Sequence, residues 1–245
     1  MKKVWIDAGH GGKDPGGIGN GLKEKDIVLT VSLGIRERLE RDYDGVQVLL
    51  SRSADGFLEL KERTDLANKA GADILVSIHC NAGGGKGGFE TFRYVQASAA
   101  SATLQNVLHK AIKARLDSSA PGVVDRGQKA DNLHMVRESK MPAVLTENLF
   151  VDVAADAGRL KNTAVLNAII DGHVYGIAQY LGLNRKELES AGNEDRATVV
   201  VNGKRLDATA PLIEGTVHVP LRAVAEALGV KVSWDNQTKT ASITK

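Results

Sequence analysis

Two histidines and two glutamates occupy positions where a polar side chain calls for a reason. His10 follows the strand-like run from Val4 to Ala8 and sits among Gly9, Gly11 and Gly12, which permit a sharp turn. His79 follows Ile74 to Ile78, Glu147 ends the run Pro142 to Thr146, and Glu24 stands at the start of a helical pattern. Two imidazoles and one carboxylate are a known catalytic zinc set that leaves one position for water or substrate. A carboxylate closing an apolar run is costly unless it is paired or used, which marks Glu147 as functional. Taken singly, the others also have ordinary readings. His10 fits a surface turn, Glu24 a helix N-terminus favoured by the dipole, and His79 a hydrogen-bonded rim position.

The remaining candidates are weaker. Cys80 is the only cysteine, so an intramolecular disulfide or a multi-cysteine zinc cluster is excluded, and any metal must use histidine and carboxylate. As strand neighbours, His79 and Cys80 point to opposite faces, which sends the thiol to the core. His173 falls in line with Leu166, Ile170 and Ile177 and reads as structural. His134, in Asn132 to Val136, reads as lying on a strand near the site, where it is a candidate substrate contact. His109 and His218 read as solvent-facing or structural.

These residues need a scaffold, and the chain has the pattern of one. Apolar, partly β-branched runs at 4–8, 46–50, 73–78 and 143–147 read as buried strands. Helical periodicity lies between and after them: Ile27, Val31, Ile35 and Leu39, then Leu58 to Ala70 ending at Gly71, Ala99 to Leu116, and Thr163 to Leu181. The alternation predicts an α/β fold with a mostly parallel sheet flanked by helices. His10, His79 and Glu147 then fall at the carboxyl ends of strands, the edge where such sheets place ligand sites.

Residues 1–182 make the expected catalytic domain, and the polar stretch 183–196 reads as a linker. Beyond it, 197–245 reads as a small ββαββ domain. A strand enters the tight pair Asn202-Gly203, a helix starts at Pro220 and stops at Gly229, and two strands flank Asp235-Asn236-Gln237.

Of the 245 residues, 42% are hydrophobic and 25% charged, the composition of a folded globular chain. A formal net charge of +2, without a dense Lys/Arg run, excludes nucleic acid as the expected partner. The excess sits in 197–245, with six Lys/Arg against four Asp/Glu, a weakly basic end suited to an anionic envelope. No apolar stretch of signal-peptide or membrane-spanning length follows Met1-Lys2-Lys3, so the expectation is synthesis in the cytoplasm without membrane insertion.

The motifs resemble a known family. Ile6-Asp7-Ala8-Gly9-His10-Gly11-Gly12-Lys13-Asp14-Pro15-Gly16, Gly21 to Asp26, Ser51-Arg52, Arg63 with Ala67-Asn68, Ala72 to Ala82, Gly88-Phe89-Glu90, Asp125-Arg126-Gly127 and Met141 to Phe150 together resemble the zinc-dependent N-acetylmuramoyl-L-alanine amidases of autolysins and phage endolysins. The resemblance covers about residues 2–181. It implies Zn²⁺ held by His10, Glu24 and His79, a catalytic Glu147, and peptidoglycan as substrate. Asn81 and Arg126 within these motifs, with His134, are expected to contact substrate. Two departures are minor: Asn148-Leu149 replaces the usual small residues, and Cys80 fills a variable place.

The tail resembles the small domain named after the N-terminal domain of copper amine oxidases, through Val219-Pro220-Leu221-Arg222, Ala225 to Gly229 and Val232 to Asp235. With His218 as its one soft ligand it does not call for copper, and wall attachment is the role expected of it. Together these readings point to an endolysin released by a holin-type membrane lesion. A host autolysin, a zinc peptidase or deacetylase on the same polymer, and a wall-binding protein with an inert zinc site remain the alternatives.

Overall fold

The computed structural model describes residues 1–186, 197–206, 210–213, 216–235 and 240–244. The four apolar runs become adjacent parallel strands in the order β4 (Val46–Leu50), β1 (Lys2–Ala8), β5 (Ile74–Asn81) and β8 (Ala143–Phe150). The sheet continues with β6 (Phe89–Tyr94), antiparallel to β8, and β7 (Asp125–Asp131), parallel to β6. Neither β6 nor β7 is anticipated by the sequence reading. β7 is an edge strand of sequence Asp-Arg-Gly-Gln-Lys-Ala-Asp with no buried residue, so it lacks the apolar signature of the central strands.

Strand alternation divides the side chains between two unequal cores. Val4, Ile6, Ile74, Val76, Ile78, Cys80 and Val144 face α1 (Glu24–Asp42), α3 (Ala99–Ser119) and α6 (Thr163–Leu181) in one large apolar cluster. Gly172 of α6 lets that helix approach α3 so closely that a Cβ there would lie 2.5 Å from Ile112 Cα. Trp5, Leu75, Ala143 and Leu145 face the other way, against Ala67 of α2 (Leu60–Ala70) and Met135 and Val136 of the short α4 (His134–Arg137). Alternation continues the second face past this small core through Asp7, Ser77, His79 and Glu147, towards the carboxyl ends of the strands. The hairpin of β2 (Ile18–Gly19) and β3 (Leu22–Lys23) leads into α1 at that end, and α5 (Ala154–Leu160) follows β8.

Chain contacts divide the protein into two compact units, Met1–Arg185 and Lys186–Lys245. Most of the stretch read as a linker, 187–196, lies outside the described residues. The second unit holds the hairpin β9 (Val200–Val201) and β10 (Lys204–Arg205), whose Asn202 and Gly203 both take positive φ. The pair β11 (Leu212–Ile213) and β12 (Thr216–Val217) precedes α7 (Leu221–Ala227), and β13 (Lys231–Asp235) pairs with β14 (Thr240–Thr244). The ββαββ expectation therefore missed one antiparallel pair, whose two-residue strands are too short to show a period.

Asp7 and Arg63 form an ion pair in the smaller layer, 1% and 2% exposed, with Arg63 Nη1 donating to Asp7 Oδ1 at 2.9 Å and Ser77 Oγ donating to Oδ2 at 2.7 Å. Burial alone raises the Asp7 pKa, but the Arg63 charge and the Ser77 hydrogen bond outweigh it and hold the carboxyl below its ordinary 3.8. A carboxylate depressed in this way stabilises the fold above its unfolded pKa, and the contribution is lost as acid titrates it. Arg63→Ala leaves Asp7 charged and buried without its partner. The variant is expected to lose about 3–5 kcal/mol of unfolding free energy at neutral pH, read from urea denaturation, and to regain part of that difference in acid.

Candidate metal centre

The turn after β1 brings His10 to the sheet edge, with His10 itself in the left-handed region at φ 57°. Leaving the strand there deprives several carbonyls of ladder partners, and two arginines supply donors instead. Arg52 donates to the carbonyls of Ala8 at 3.0 Å and of Gly9 and Lys25 at 2.7 and 2.8 Å. Arg63 donates to those of Ala8 and His10, both at 2.6 Å. The turn is thus clamped by the two arginines, and its imidazole is presented towards Glu24.

Glu24, the first residue of α1, is buried, and its carboxylate is the hub of the site. Oε1 lies 3.1 Å from His10 Nε2 and 2.9 Å from His79 Nδ1 and accepts the Cys80 N–H at 3.0 Å. Oε2 accepts the Gly17 N–H at 2.8 Å. The two imidazoles stand edge to face, 4.9 Å between centroids at 84°. One ligand atom from each of His10, Glu24 and His79 lies within 4.8 Å of the others. The His–Glu separations are close to the roughly 3.4 Å between neighbouring ligands in a tetrahedral shell with bonds near 2.1 Å. Asp14 Oδ2 accepts from His10 Nδ1 at 2.8 Å, which aims Nε2 inward, the arrangement that carboxylates commonly impose on ligating histidines.

Electrostatics support the same reading. Burial lowers the His79 pKa, but the hydrogen bond and charge of Glu24, with the Glu147 and Asp7 charges, raise it to about 9. Burial likewise opposes ionisation of Glu24, yet hydrogen bonds from His10 and His79 and their charges hold it far below the ordinary carboxylate range. Ligand protons of this kind are displaced when a cation binds.

Glu147 lies beside the cluster as the register partner of His79 across β5 and β8. Burial pushes its pKa up, His79 pulls it down, and the Glu24 and Glu90 carboxylates push it up again, leaving it at about 7. Among the described residues its buried Oε2 has no hydrogen-bond partner. An orphaned carboxylate oxygen beside a two-histidine, one-carboxylate set fits a hydrolytic metal site, which would supply that oxygen with a water.

A family profile described as N-acetylmuramoyl-L-alanine amidase matches residues 4–179, which contain this whole cluster. The chain belongs to the N-acetylmuramoyl-L-alanine amidase family. The amidase is 48% identical over 196 residues to an endolysin of Bacillus phage SPP1, covering 79% of this chain and 71% of that protein. It is 43% identical over 192 residues to a sporulation-specific N-acetylmuramoyl-L-alanine amidase of Bacillus subtilis, covering 78% and 72%. The solved catalytic domain of CwlV, an N-acetylmuramoyl-L-alanine amidase of Bacillus (Paenibacillus) polymyxa, matches with a TM-score of 0.69 at 36% identity, over 75% of this chain and 100% of that one. Residues 194–245 match a profile described as the copper amine oxidase N-terminal domain.

Other residues singled out from the amidase sequence have clear places. Cys80 is in the core, and His173 is buried with Nε2 3.0 Å from Thr146 Oγ1 and Nδ1 2.8 Å from the Ile169 carbonyl. His109 is buried between Thr91 and Asp125, and His218 is exposed in the second unit. His134 is not on a strand. It opens α4, with Nε2 3.2 Å from Thr64 Oγ1 of α2, because Met135 and Val136 bury adjacent positions that only a helical turn sends to one side. Asn81 Nδ2 donates to Glu90 Oε1 at 2.7 Å, and Arg126 Nε donates to Glu90 Oε2 at 3.0 Å. The sequence reading assigned no role to Asp14 or Glu90. A carboxylate four residues after a candidate ligand was the available signal for Asp14, whereas Glu90 stands out only once β6 is paired with β8.

Gly9 is required by close approach: a Cβ there would lie 2.4 Å from His79 Cε1. Gly9→Ala is expected to displace the His79 ring and to cost about 10²-fold in activity, since a 1 Å misplacement is enough for such a loss. Metal content should fall with it, while the melting transition persists. Elemental analysis and calorimetry of the purified variant check both.

Proposed function

We propose that the protein is a zinc-dependent amidase that hydrolyses the bond between N-acetylmuramic acid and the L-alanine of the peptidoglycan stem peptide, with His10, Glu24 and His79 as metal ligands and Glu147 as the proton-transfer group. The observation that carries this reading is the buried, unpartnered Oε2 of Glu147 beside the three-ligand cluster. A zinc ion held by the three ligands would lower the pKa of a water and polarise the scissile carbonyl.

The chain's own residues do the rest. Asp14 fixes the orientation of the His10 ring, and the Gly17 and Cys80 amides fix both oxygens of Glu24, so the ligand set needs little reorganisation. Glu147, with its pKa raised to about 7, can take a proton from the attacking water and return it to the departing alanine nitrogen.

We read its biological role as lytic, in the manner of a phage or prophage endolysin, supported by the 48% identity to the SPP1 endolysin. Identity of 43% to a sporulation-specific amidase supports the host autolysin as the second reading. The second unit is read as a wall-attachment module, and no helix of the described residues is long and apolar enough to cross a membrane.

Digestion of purified peptidoglycan should release new amino-terminal alanine with the glycan strands uncut, as read by mass spectrometry. Glycan cleavage, peptide cleavage or deacetylation as the sole outcome would overturn the assignment. Glu147→Gln should keep zinc and lose about 10²–10⁴-fold in turnover, whereas Glu24→Gln should lose zinc and turnover together. Near-normal turnover in Glu147→Gln would remove it from the mechanism. A chain ending at Gly182 should cleave soluble muropeptide and lose binding to intact walls, checked by sedimentation with walls. Equal sedimentation of the short and full chains would rule out the attachment role.

A further inference from the structure

Beyond Glu147 the sheet carries a second buried carboxylate that the proton-transfer step does not use. Glu90 is the register partner of Glu147 across β6 and β8, so the two side chains share a face, and it is 2% exposed. Asn81 Nδ2 holds its Oε1, while Arg126 Nε and Lys129 Nζ, both on β7, hold its Oε2. The group therefore carries two cations against one carboxylate and retains one positive charge.

The orientation of Arg126 is specific. Its Nε is committed to Glu90 and its guanidinium lies 4.8 Å from the centroid of the Phe150 ring. Among the described residues its two Nη groups have no hydrogen-bond partner, and the side chain is 31% exposed. The other arginines of the site are unlike it, because Arg52 and Arg63 direct donors from all three nitrogens to backbone carbonyls and Asp7. A guanidinium stacked on one face, with one edge fixed and the forked end open, is preorganised for a bidentate carboxylate.

The opposite flank of the metal cluster lacks this property. A cavity of about 310 Å³ there is lined by Phe57, Leu58 and Leu60 together with Asp7, Asp14 and Glu59, and its one arginine is the committed Arg63. An anionic group is disfavoured on that side and favoured towards β7. Strands about 4.8 Å apart put β7 roughly 10 Å from the strand of Glu147, and a peptide residue spans about 3.5 Å. A substrate carboxylate one or two residues beyond the scissile amide falls within reach of Arg126.

Resting on the amidase reading above, we propose that Arg126 and Lys129, oriented by Glu90, form a subsite for a stem-peptide carboxylate just past the L-alanine, so that the peptide runs towards β7 and the sugar lies on the Phe57 side. Arg126 touches the substrate in this arrangement, and Glu90 is a positioning residue.

The test uses two synthetic N-acetylmuramoyl-L-alanyl dipeptides that differ only in whether the second residue carries a free carboxylate or its carboxamide. The full-length zinc-loaded enzyme should prefer the carboxylate substrate by about 10- to 100-fold in kcat/KM, the range of a charge-assisted hydrogen bond gained. In Arg126→Gln that ratio should fall towards one, mainly through KM, and Arg126→Lys should recover only part of it. Glu90→Gln should reduce the ratio partway, again through KM, because the guanidinium is no longer aimed. A wild-type ratio near one overturns the subsite without any variant having to fold, and so does an Arg126→Gln enzyme with the ratio unchanged. Absence of free L-alanyl product from both substrates instead overturns the amidase reading and the subsite with it.

Discussion

The site depends on how the chain satisfies its backbone where β1 ends. Turning out of the sheet at Gly9 and His10 leaves the carbonyls of Ala8, Gly9 and His10 without ladder partners. Arg52 and Arg63 supply the missing donors, and Arg63 is paired in that setting with Asp7, itself held by Ser77 of β5. One hydrogen-bonded assembly therefore joins β1, β5 and α2, and it fixes the turn that presents His10. Removing one member leaves a buried charge or a set of orphan carbonyls, and a lysine, with one nitrogen, lacks the separate donors that each arginine directs to several acceptors.

On that support the metal ligands meet with little freedom. Glu24 reaches across from the start of α1, and the Gly17 and Cys80 amides hold its two oxygens in place. Gly9 and Gly16 leave room for the imidazoles and the carboxylate, since a Cβ at Gly16 would fall 2.5 Å from Glu24 Oε2. Hydrogen bonds between Glu24 and both imidazoles gather the three ligand groups in advance. The entropy of assembling them is met in folding rather than at the moment of binding.

A row of side chains then crosses the same sheet face: His79 on β5, Glu147 on β8 and Glu90 on β6, at successive register positions. Two carboxylates so placed have different fates because of their neighbours. Glu90 is held by Asn81, Arg126 and Lys129, whereas Glu147 has a buried oxygen with no donor among the described residues and a pKa pushed up to about 7. The antiparallel insertion of β6 between β8 and β7 creates this contrast, since it sets a carboxylate with its own counter-ions beside one without.

Much of this was legible in the chain. Short continuous apolar runs and helical repeats at period 3.6 determined the four parallel strands and the main helices, because burial on both faces of a strand and on one face of a helix dictates residue type locally. The same logic turned Cys80 into the core and put His10, His79 and Glu147 towards the carboxyl ends of strands, although β5 runs on to Asn81 and β8 to Phe150. What the sequence could not decide is whatever depends on partners distant in the chain. β7 is a polar edge strand recognisable only by its pairing, and His134 was misread because four helical residues carry no period. Asn81 and Arg126 were singled out, but that both bind Glu90 follows from the β8-β6-β7 order alone. Hydrogen-bond partners, burial and the resulting pKa values are properties of assembled neighbours, and only the tertiary structure makes Glu24 a depressed carboxylate and Glu147 a raised one.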